Sequence, residues 1–155
     1  MEPFPIFLTL VIVTRNRASS LEGLLTNLTA LLNKCASDYE LILVDNGSND
    51  DSLKLLKELC KQDKFPNIQV FALNKTVDID TASTVGLENA LGDFVALIDP
   101  FQDDIDILPK MLDKALSGHD VVLAANTISP PQTLSYRCAQ WMFNKLYKIF
   151  NGIDS

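Results

Sequence analysis

The stretch Leu41-Ile-Leu-Val-Asp-Asn-Gly-Ser-Asn-Asp-Asp51 decides how this chain is expected to fold. An unbroken apolar run leads directly into the carboxylate of Asp45, and a Gly/Ser turn and a predicted helix follow. Such a run is typical of a parallel strand that is buried on both faces. Open α/β folds bind their ligands at the carboxyl ends of these strands. The stretch therefore predicts an acid delivered to the ligand-binding edge of a sheet.

A second stretch, Asp93-Phe-Val-Ala-Leu-Ile-Asp99, has the same form. Its apolar core again ends in an acid, Asp99, at the point where the predicted strand stops. Two acids on two strand ends can face one crevice, and a nucleotide is the ligand that best uses them. The two stretches together predict a nucleotide site at one edge of the sheet.

Short apolar strands alternate with amphipathic helices along the whole chain. This alternation predicts an α/β fold with a mostly parallel, Rossmann-like sheet and helices on both faces. With 155 residues we expect a single domain spanning residues 1–155. The predicted strands are Phe7–Val13, Glu40–Val44, Ile68–Leu73, Phe94–Ile98 and Asp120–Ala124, and the predicted helices include Thr81–Leu91, Ile105–Leu116 and Leu134–Phe150.

Composition excludes some classes of partner. The chain is 47% hydrophobic and carries a net charge of −7, so it is expected to fold and to repel nucleic acid. An anionic ligand would need a local cation, a metal or a helix N-terminus. No apolar run approaches about 20 residues, so no transmembrane segment is predicted.

The cysteines and the first residues favour a cytoplasmic protein. Cys35, Cys60 and Cys138 have no close spacing and are expected to be free thiols in a reducing compartment. The opening residues lack the basic region of a signal peptide. The aromatic helix Leu134–Phe150 is mostly expected to be core. The alternative is peripheral contact with the inner face of a membrane.

The end of the first predicted strand, Val13-Thr-Arg-Asn-Arg17, is polar and basic. The planar cation of Arg15 can stack on a base or pair with phosphate, and Asn16 offers both a donor and an acceptor. The alternative is a solvated loop that merely leads into the next helix.

Each of the two strand-end acids also has two possible roles. Asp45 can accept from a base or a ribose, or it can bond the amides of its own turn. Asp99 begins a cluster with Asp103, Asp104 and Asp106 that suits Mg²⁺ or Mn²⁺. The alternative for the last three is an acidic loop that favours the dipole of the following helix.

Taken together, these motifs resemble the family 2 glycosyltransferases of the GT-A fold, and among them the polyprenyl-phosphate sugar transferases similar to dolichol-phosphate mannose synthase. The similarity runs over nearly the whole chain. Leu43–Asp50 is similar to that family's Val-Asp-Asp-Gly-Ser-x-Asp signature, and Leu97–Asp99 matches the start of its Asp-x-Asp segment. The other matching pieces are Val11–Asn16, Asn74–Asp93, Leu108–Leu112 and Asp120–Val122.

The resemblance implies a nucleotide diphosphate sugar as donor and a polyprenyl phosphate or glycan as acceptor, with inversion at the anomeric carbon. Asp45 would hold the base, helped by Asn46. Residues Val13, Thr14, Arg15 and Asn16 would line the base and ribose pocket. Asp99 would face the ribose and, with Asp103, a divalent cation, Mg²⁺ or Mn²⁺, that neutralises the departing diphosphate.

The sequence also departs from the family pattern. Phe101 stands at the second acid of Asp-x-Asp, and the chain ends at Ser155 where members continue into a half that supplies the general base. We therefore expect a donor-side domain without the acceptor half, with an exposed apolar face that favours self-association. Two alternatives are a catalytically degenerate binding or scaffold module and a receiver-like domain that accepts a phosphoryl group.

Overall fold

The computed structural model describes residues 2–61, 65 and 67–125. The chain divides into two compact units, Met1–Leu123 and Ala124–Ser155, and every element named here belongs to the first unit. The predicted helix Leu134–Phe150 and Cys138 lie outside the described residues. The strands are β1 (Phe4–Thr14), β2 (Ala36–Asp45), β3 (Ile68–Ala72) and β4 (Phe94–Leu97), and the helices are α1 (Ala18–Cys35), α2 (Ser52–Lys61), α3 (Ile79–Glu88) and α4 (Leu108–Leu116).

The described strands form one parallel sheet in the order β3-β2-β1-β4. Strand β1 lies inside the sheet, where Thr14 is opposite Asp45 on one side and Val11 is opposite Leu97 on the other. This arrangement confirms the predicted parallel α/β sheet. It also places the carboxyl ends of β1, β2 and β4 along one edge.

Helices cover both faces of the sheet, as predicted. Alternate residues of β1 and β2 separate into two apolar clusters because neighbouring side chains of a strand point to opposite faces. On one face, Leu10 and Leu43 pack with Leu28 of α1 and Leu56 of α2. On the other face, Val11, Ile42 and Val44 pack with Ala82 of α3.

The prediction of a strand at Asp120–Ala124 is wrong, because the segment joins no ladder with any described strand. Val121 is 74% exposed and Leu123 is 87% exposed, so the apolar residues on which the prediction rested are not buried by the described residues. Helix α3 begins earlier than the predicted Thr81 because Asp78 caps it, accepting from Thr81 N at 2.9 Å.

No helix in the described ranges is both long enough and apolar enough to cross a bilayer. Cys35 and Cys60 are free thiols, and burial raises the pKa of both.

The buried carboxylate of Glu40 accepts hydrogen bonds from several elements of the sheet. Glu40 is 6% exposed, and its Oε1 accepts from Thr9 Oγ1 at 2.6 Å and from Leu91 N at 2.7 Å. Its Oε2 accepts from Gln69 Nε2 at 2.9 Å. The Thr9 hydroxyl oxygen in turn accepts from Gly92 N at 2.8 Å. This network joins β1, β2 and β3 to the residues that lead into β4, and it supplies the partners that a buried charge requires.

Replacing Glu40 is expected to destabilise the fold in a graded way. Glu40→Ala leaves three donors without an acceptor and should lower the free energy of unfolding by about 3 kcal/mol or more. Glu40→Gln keeps Oε1 as an acceptor, and the exposed amide of Gln69 can turn its own Oε1 toward the new amide, so this variant should cost only about 1 kcal/mol. Urea unfolding of the two variants checks the order, and a Glu40→Ala variant as stable as Glu40→Gln would contradict it.

Helix α3 lies unusually close to the sheet at Gly86. A Cβ added at Gly86 would lie 2.3 Å from Val11 Cγ1 and 3.3 Å from Val44 Cγ2. Because real Cβ atoms do not approach other atoms so closely, a side chain here would push the helix away from the sheet. The absence of a side chain at Gly86 therefore sets the depth at which α3 packs.

The variant Gly86→Ala should lower the free energy of unfolding by about 1–3 kcal/mol despite the better helix propensity of alanine. Gly23 in α1 is a matched control, because a Cβ there meets nothing within 4 Å. Gly23→Ala should raise stability by about 0.5–1 kcal/mol. Equal effects of the two variants in thermal or urea unfolding would show that packing at Gly86 is looser than described.

Candidate functional site

The chain crosses from one face of the sheet to the other beside β1. Helix α1, which follows β1, packs on one face, whereas α3, which precedes β4, packs on the other. The strand order therefore reverses between β1 and β4, and a crevice opens at such a switch point outside the carboxyl ends of the strands. The loops after β1 and after β4 form its two walls.

The loop after β1 is bound firmly to the loop after β2. Asn16 has a left-handed backbone with φ of 53°. Its N–H donates to Ser48 Oγ at 2.9 Å, and its Oδ1 accepts from Asn49 N at 2.8 Å. Arg17 N donates to Ser52 Oγ at 3.0 Å. The predicted site residue Asn16 thus organises the loop, and Arg15 beside it is exposed.

Asp45 lies next to this loop, opposite Thr14, and is 1% exposed. Its carboxylate accepts from Ser48 N at 3.2 Å and from the Ser48 hydroxyl. This is the turn arrangement that the sequence left open as an alternative. A carboxylate has room for further donors, and contact between Asp45 and a base remains a prediction.

Asn46 connects β2 to the loop after β3. Its Nδ2 donates to Val77 O at 2.9 Å, and its Oδ1 accepts from Val77 N at 2.9 Å. Gly47 follows with φ of 63°, and a Cβ there would lie 2.6 Å from Thr76 N. The side chain of Asn46 is therefore occupied by the protein backbone, and the ligand contact predicted for it stays a prediction.

Two other predicted site residues, Val13 and Thr14, end β1. Val13 is half-buried and packs against the apolar cluster on the α3 face. Thr14 is 3% exposed, and within the described ranges its Oγ1 has no hydrogen-bond partner. Since buried hydroxyls are normally paired, Thr14 is an unusual residue at the edge where a ligand is expected.

The loop after β4 brings Asp99 and Asp103 together, and both carboxylates accept hydrogen bonds from the loop itself, so the metal contact predicted for them stays a prediction. Asp99 Oδ1 accepts from Phe101 N at 3.0 Å, and its Oδ2 accepts from the side-chain amide of Gln102. Asp103 Oδ2 accepts from Asp99 N at 2.9 Å. Asp104 caps the 3₁₀ turn Ile105–Ile107 by accepting from Asp106 N at 3.1 Å. Across the described part of the chain, no group of three or more His, Cys, Asp or Glu side chains could hold a metal ion.

One contact spans the crevice between the two walls. Arg17 Cζ lies 4.3 Å from the centroid of the Phe101 ring, within the range of a cation–π interaction. In the sequence, Arg17 belongs to a basic cluster and Phe101 is a departure from the family motif. Nothing in the sequence indicates that these two side chains meet, because their contact depends on which strand lies beside β1.

A hydrogen-bonded acid lies at the start of α1. Asp50 Oδ2 accepts from Ala18 N at 3.1 Å, and Asp50 Oδ1 accepts from Ser52 N at 3.0 Å. The Ser52 side chain, followed by the backbone N–H groups of Ser52 and Ala18, holds the pKa of Asp50 below its usual value. The carboxylate of Asp50 thus occupies a position where the helix dipole favours an anion.

Two substitutions test the left-handed backbone conformation of Asn16. Asn16→Gly keeps the backbone conformation and loses the bond to Asn49, so it should cost about 1 kcal/mol. Asn16→Ala loses the bond and adds backbone strain, so it should cost about 2 kcal/mol. Urea unfolding compares the two, and an alanine variant more stable than the glycine variant would contradict the described conformation.

Comparison with known proteins now identifies the family. The sequence model of Glycosyl transferase family 2 matches residues 9–154. The chain belongs to glycosyl transferase family 2. Among curated family 2 relatives, an undecaprenyl-phosphate 4-deoxy-4-formamido-L-arabinose transferase of Pseudomonas fluorescens is 36% identical over 124 residues, which are 79% of this chain and 36% of the relative. One of the same name from Aeromonas hydrophila is 32% identical over 115 residues, 74% of this chain and 35% of the relative.

Solved structures confirm the GT-A fold expected of this family. A mannosyltransferase of Pyrobaculum calidifontis, in complex with GDP-Man and Mn²⁺, superposes with a TM-score of 0.59 at 18% identity, covering 70% of this chain and 32% of that one. S. aureus TarS 1-349 in complex with UDP-GlcNAc gives a TM-score of 0.55 at 20% identity, covering 82% and 37%. The family 2 chain described here spans about a third of the length of the curated relatives it matches.

Proposed function

We propose that this chain is the donor-binding part of an inverting glycosyltransferase that takes a sugar from a nucleotide diphosphate sugar. The observation that carries the proposal is the crevice at the switch point beside β1, in a chain of family 2. Its walls hold Asn16 and Arg17 on one side and Asp99 and Phe101 on the other.

The names of similar proteins support the donor and the acceptor. The curated relatives are undecaprenyl-phosphate sugar transferases, and two proteins of the same fold bind GDP-Man and UDP-GlcNAc. We propose a polyprenyl phosphate as acceptor, with a glycan as the alternative. A lipid acceptor would bring the protein to the inner face of a membrane, and a cytoplasmic location with peripheral membrane contact belongs to the same proposal.

The chemistry available to the site follows from its groups. Asp45 would accept from an N–H of the base, and the end of β1, residues 13–16, would line the base and ribose pocket with Asn46 holding the adjacent loop in place. Asp99 would face the ribose. The general base is expected in the half of the family fold that follows this region, so no described residue is assigned that role.

The described residues do not fit the divalent cation that the Pyrobaculum neighbour holds. Asp99 and Asp103 accept hydrogen bonds from their own turn, and Phe101 occupies the position of the second family acid. The guanidinium of Arg17 lies against that ring, and a positive charge there opposes the approach of Mg²⁺ or Mn²⁺.

The presence of Phe101 at the position of the second family acid favours a second candidate, a catalytically degenerate binding or scaffold module of this fold. Loss of the second acid is compatible with loss of transfer activity. The two candidates differ in one measurable property, because only a donor-binding domain needs affinity for nucleotide.

Calorimetric titration with UDP and GDP distinguishes the candidates and tests Asp45. We expect the parent chain to bind one of the two nucleotides. Asp45→Asn should weaken that binding about tenfold or more, since it removes a charge-assisted hydrogen bond to the base. Ser48→Ala removes the hydroxyl bond to the same carboxylate but keeps the bond from Ser48 N, and it should change affinity by only about threefold or less.

Asp38→Asn, at the exposed beginning of β2, is the control for loss of one acid and should bind like the parent. If Asp45→Asn is folded and also binds like the parent, Asp45 is only a turn residue. If the folded parent binds neither nucleotide, the degenerate module is the better account of this chain.

A further inference from the structure

We propose that Arg17, supported by Phe101, is the cation that neutralises the diphosphate of the donor, so that this chain binds a nucleoside diphosphate without a divalent metal. The inference rests on the proposed function, because it concerns the same crevice. It assigns a phosphate site to two residues that the sequence motifs did not identify as ligand-binding.

The backbone of both residues is held in place before any ligand arrives. Arg17 precedes α1, donates its N–H to Ser52 Oγ at 3.0 Å and accepts from Ser20 N at 2.9 Å and Leu21 N at 3.1 Å. Phe101 is held by its N–H bond to Asp99. The contact with the Phe101 ring then holds the guanidinium between these two turns, so less conformational freedom is lost when phosphate binds.

The N–H donors of the Arg17 guanidinium remain available to a phosphate group. A guanidinium that stacks on a ring uses its face, whereas its N–H groups lie in the plane and can bond phosphate oxygens in pairs. Within the described ranges, no carboxylate forms an ion pair with Arg17. Arg15 is exposed on the same loop and adds a second positive charge. The chain carries a net charge of −7, so this local cation is needed for an anionic ligand.

The N-terminus of α1 is another possible anion site at this edge. Helix α1 begins at Ala18, and the N-terminus of a helix attracts phosphate. Here Ala18 N donates to Asp50 at 3.1 Å, so an acid of the protein already lies there. The guanidinium of Arg17, one residue earlier, is the group that stays open to a diphosphate.

The test is calorimetric titration of the full chain with UDP or GDP, in EDTA and in Mn²⁺. The parent should bind with affinities that agree within about twofold in the two buffers. Arg17→Gln should weaken binding of the nucleoside diphosphate about tenfold or more in EDTA while leaving the affinity for the nucleoside unchanged. Lys34→Gln, which removes one exposed positive charge near the other end of α1, is the matched control and should bind like the parent.

Two further variants test the role of the ring. Phe101→Leu keeps an apolar side chain but removes the π face, so it should weaken binding by about threefold to tenfold. Combining it with Arg17→Gln should cause no further loss, because both changes remove the same contact. Phe101→Asp combined with Arg17→Gln restores the family spacing of acids at 99 and 101 without the opposing cation, and should make binding depend on Mn²⁺.

Several results would overturn the inference alone: binding by the parent that needs Mn²⁺, an Arg17→Gln variant that binds the nucleoside diphosphate like the parent, or additive losses in the double variant. Absence of nucleotide binding by the folded parent in both buffers would instead overturn the proposed function, and this inference with it. Thermal unfolding of each variant shows whether a loss of affinity comes from a loss of fold.

Discussion

The buried carboxylate of Glu40 is the constraint on which the rest of the structure depends. A charge at 6% exposure must be surrounded by donors, and here these come from β1, from β3 and from the backbone just before β4. The connection from α3 must therefore pass over Glu40 before the chain enters the sheet. That path places β4 beside β1. The neighbouring bond from Phe7 N to Asp93 Oδ2 at 3.1 Å fixes the position of β4 along β1. The crevice exists because β4 lies there.

The two walls of this crevice are built differently. The wall after β1 is joined to the β2 turn through Asn16 and Ser48, whereas the wall after β4 is a self-contained turn around Asp99. The stack of Arg17 on Phe101 is the contact that joins them. Phe101 stands where family members have an acid, and this changes the electrostatic character of the site. Its ring attracts the guanidinium of Arg17, which is part of the protein, whereas an acid would attract a metal ion from solution.

The sequence predicted what depends on local pattern. Apolar runs identified the four described strands of the sheet, and the acids at two strand ends identified the edge at which the carboxyl ends of β1, β2 and β4 lie. It could not predict contacts that depend on strand order, such as those of Glu40 and of Arg17 with Phe101. A charged residue within an otherwise apolar strand was the available signal for Glu40. The strand predicted at Asp120–Ala124 is absent because an apolar run forms a strand only where another strand can pair with it.

The position of β1 inside the sheet has a consequence for synthesis on the ribosome. This strand is made well before its β4 partner, which begins only at Phe94. At ordinary elongation rates the delay is on the order of 10 s, and one edge of a strongly apolar strand is open throughout. Such edges readily pair with other chains. The nascent protein should thus be most prone to aggregation after β2 has joined β1 and before Leu91 reaches Glu40, which makes this interval the one in which a chaperone would help most.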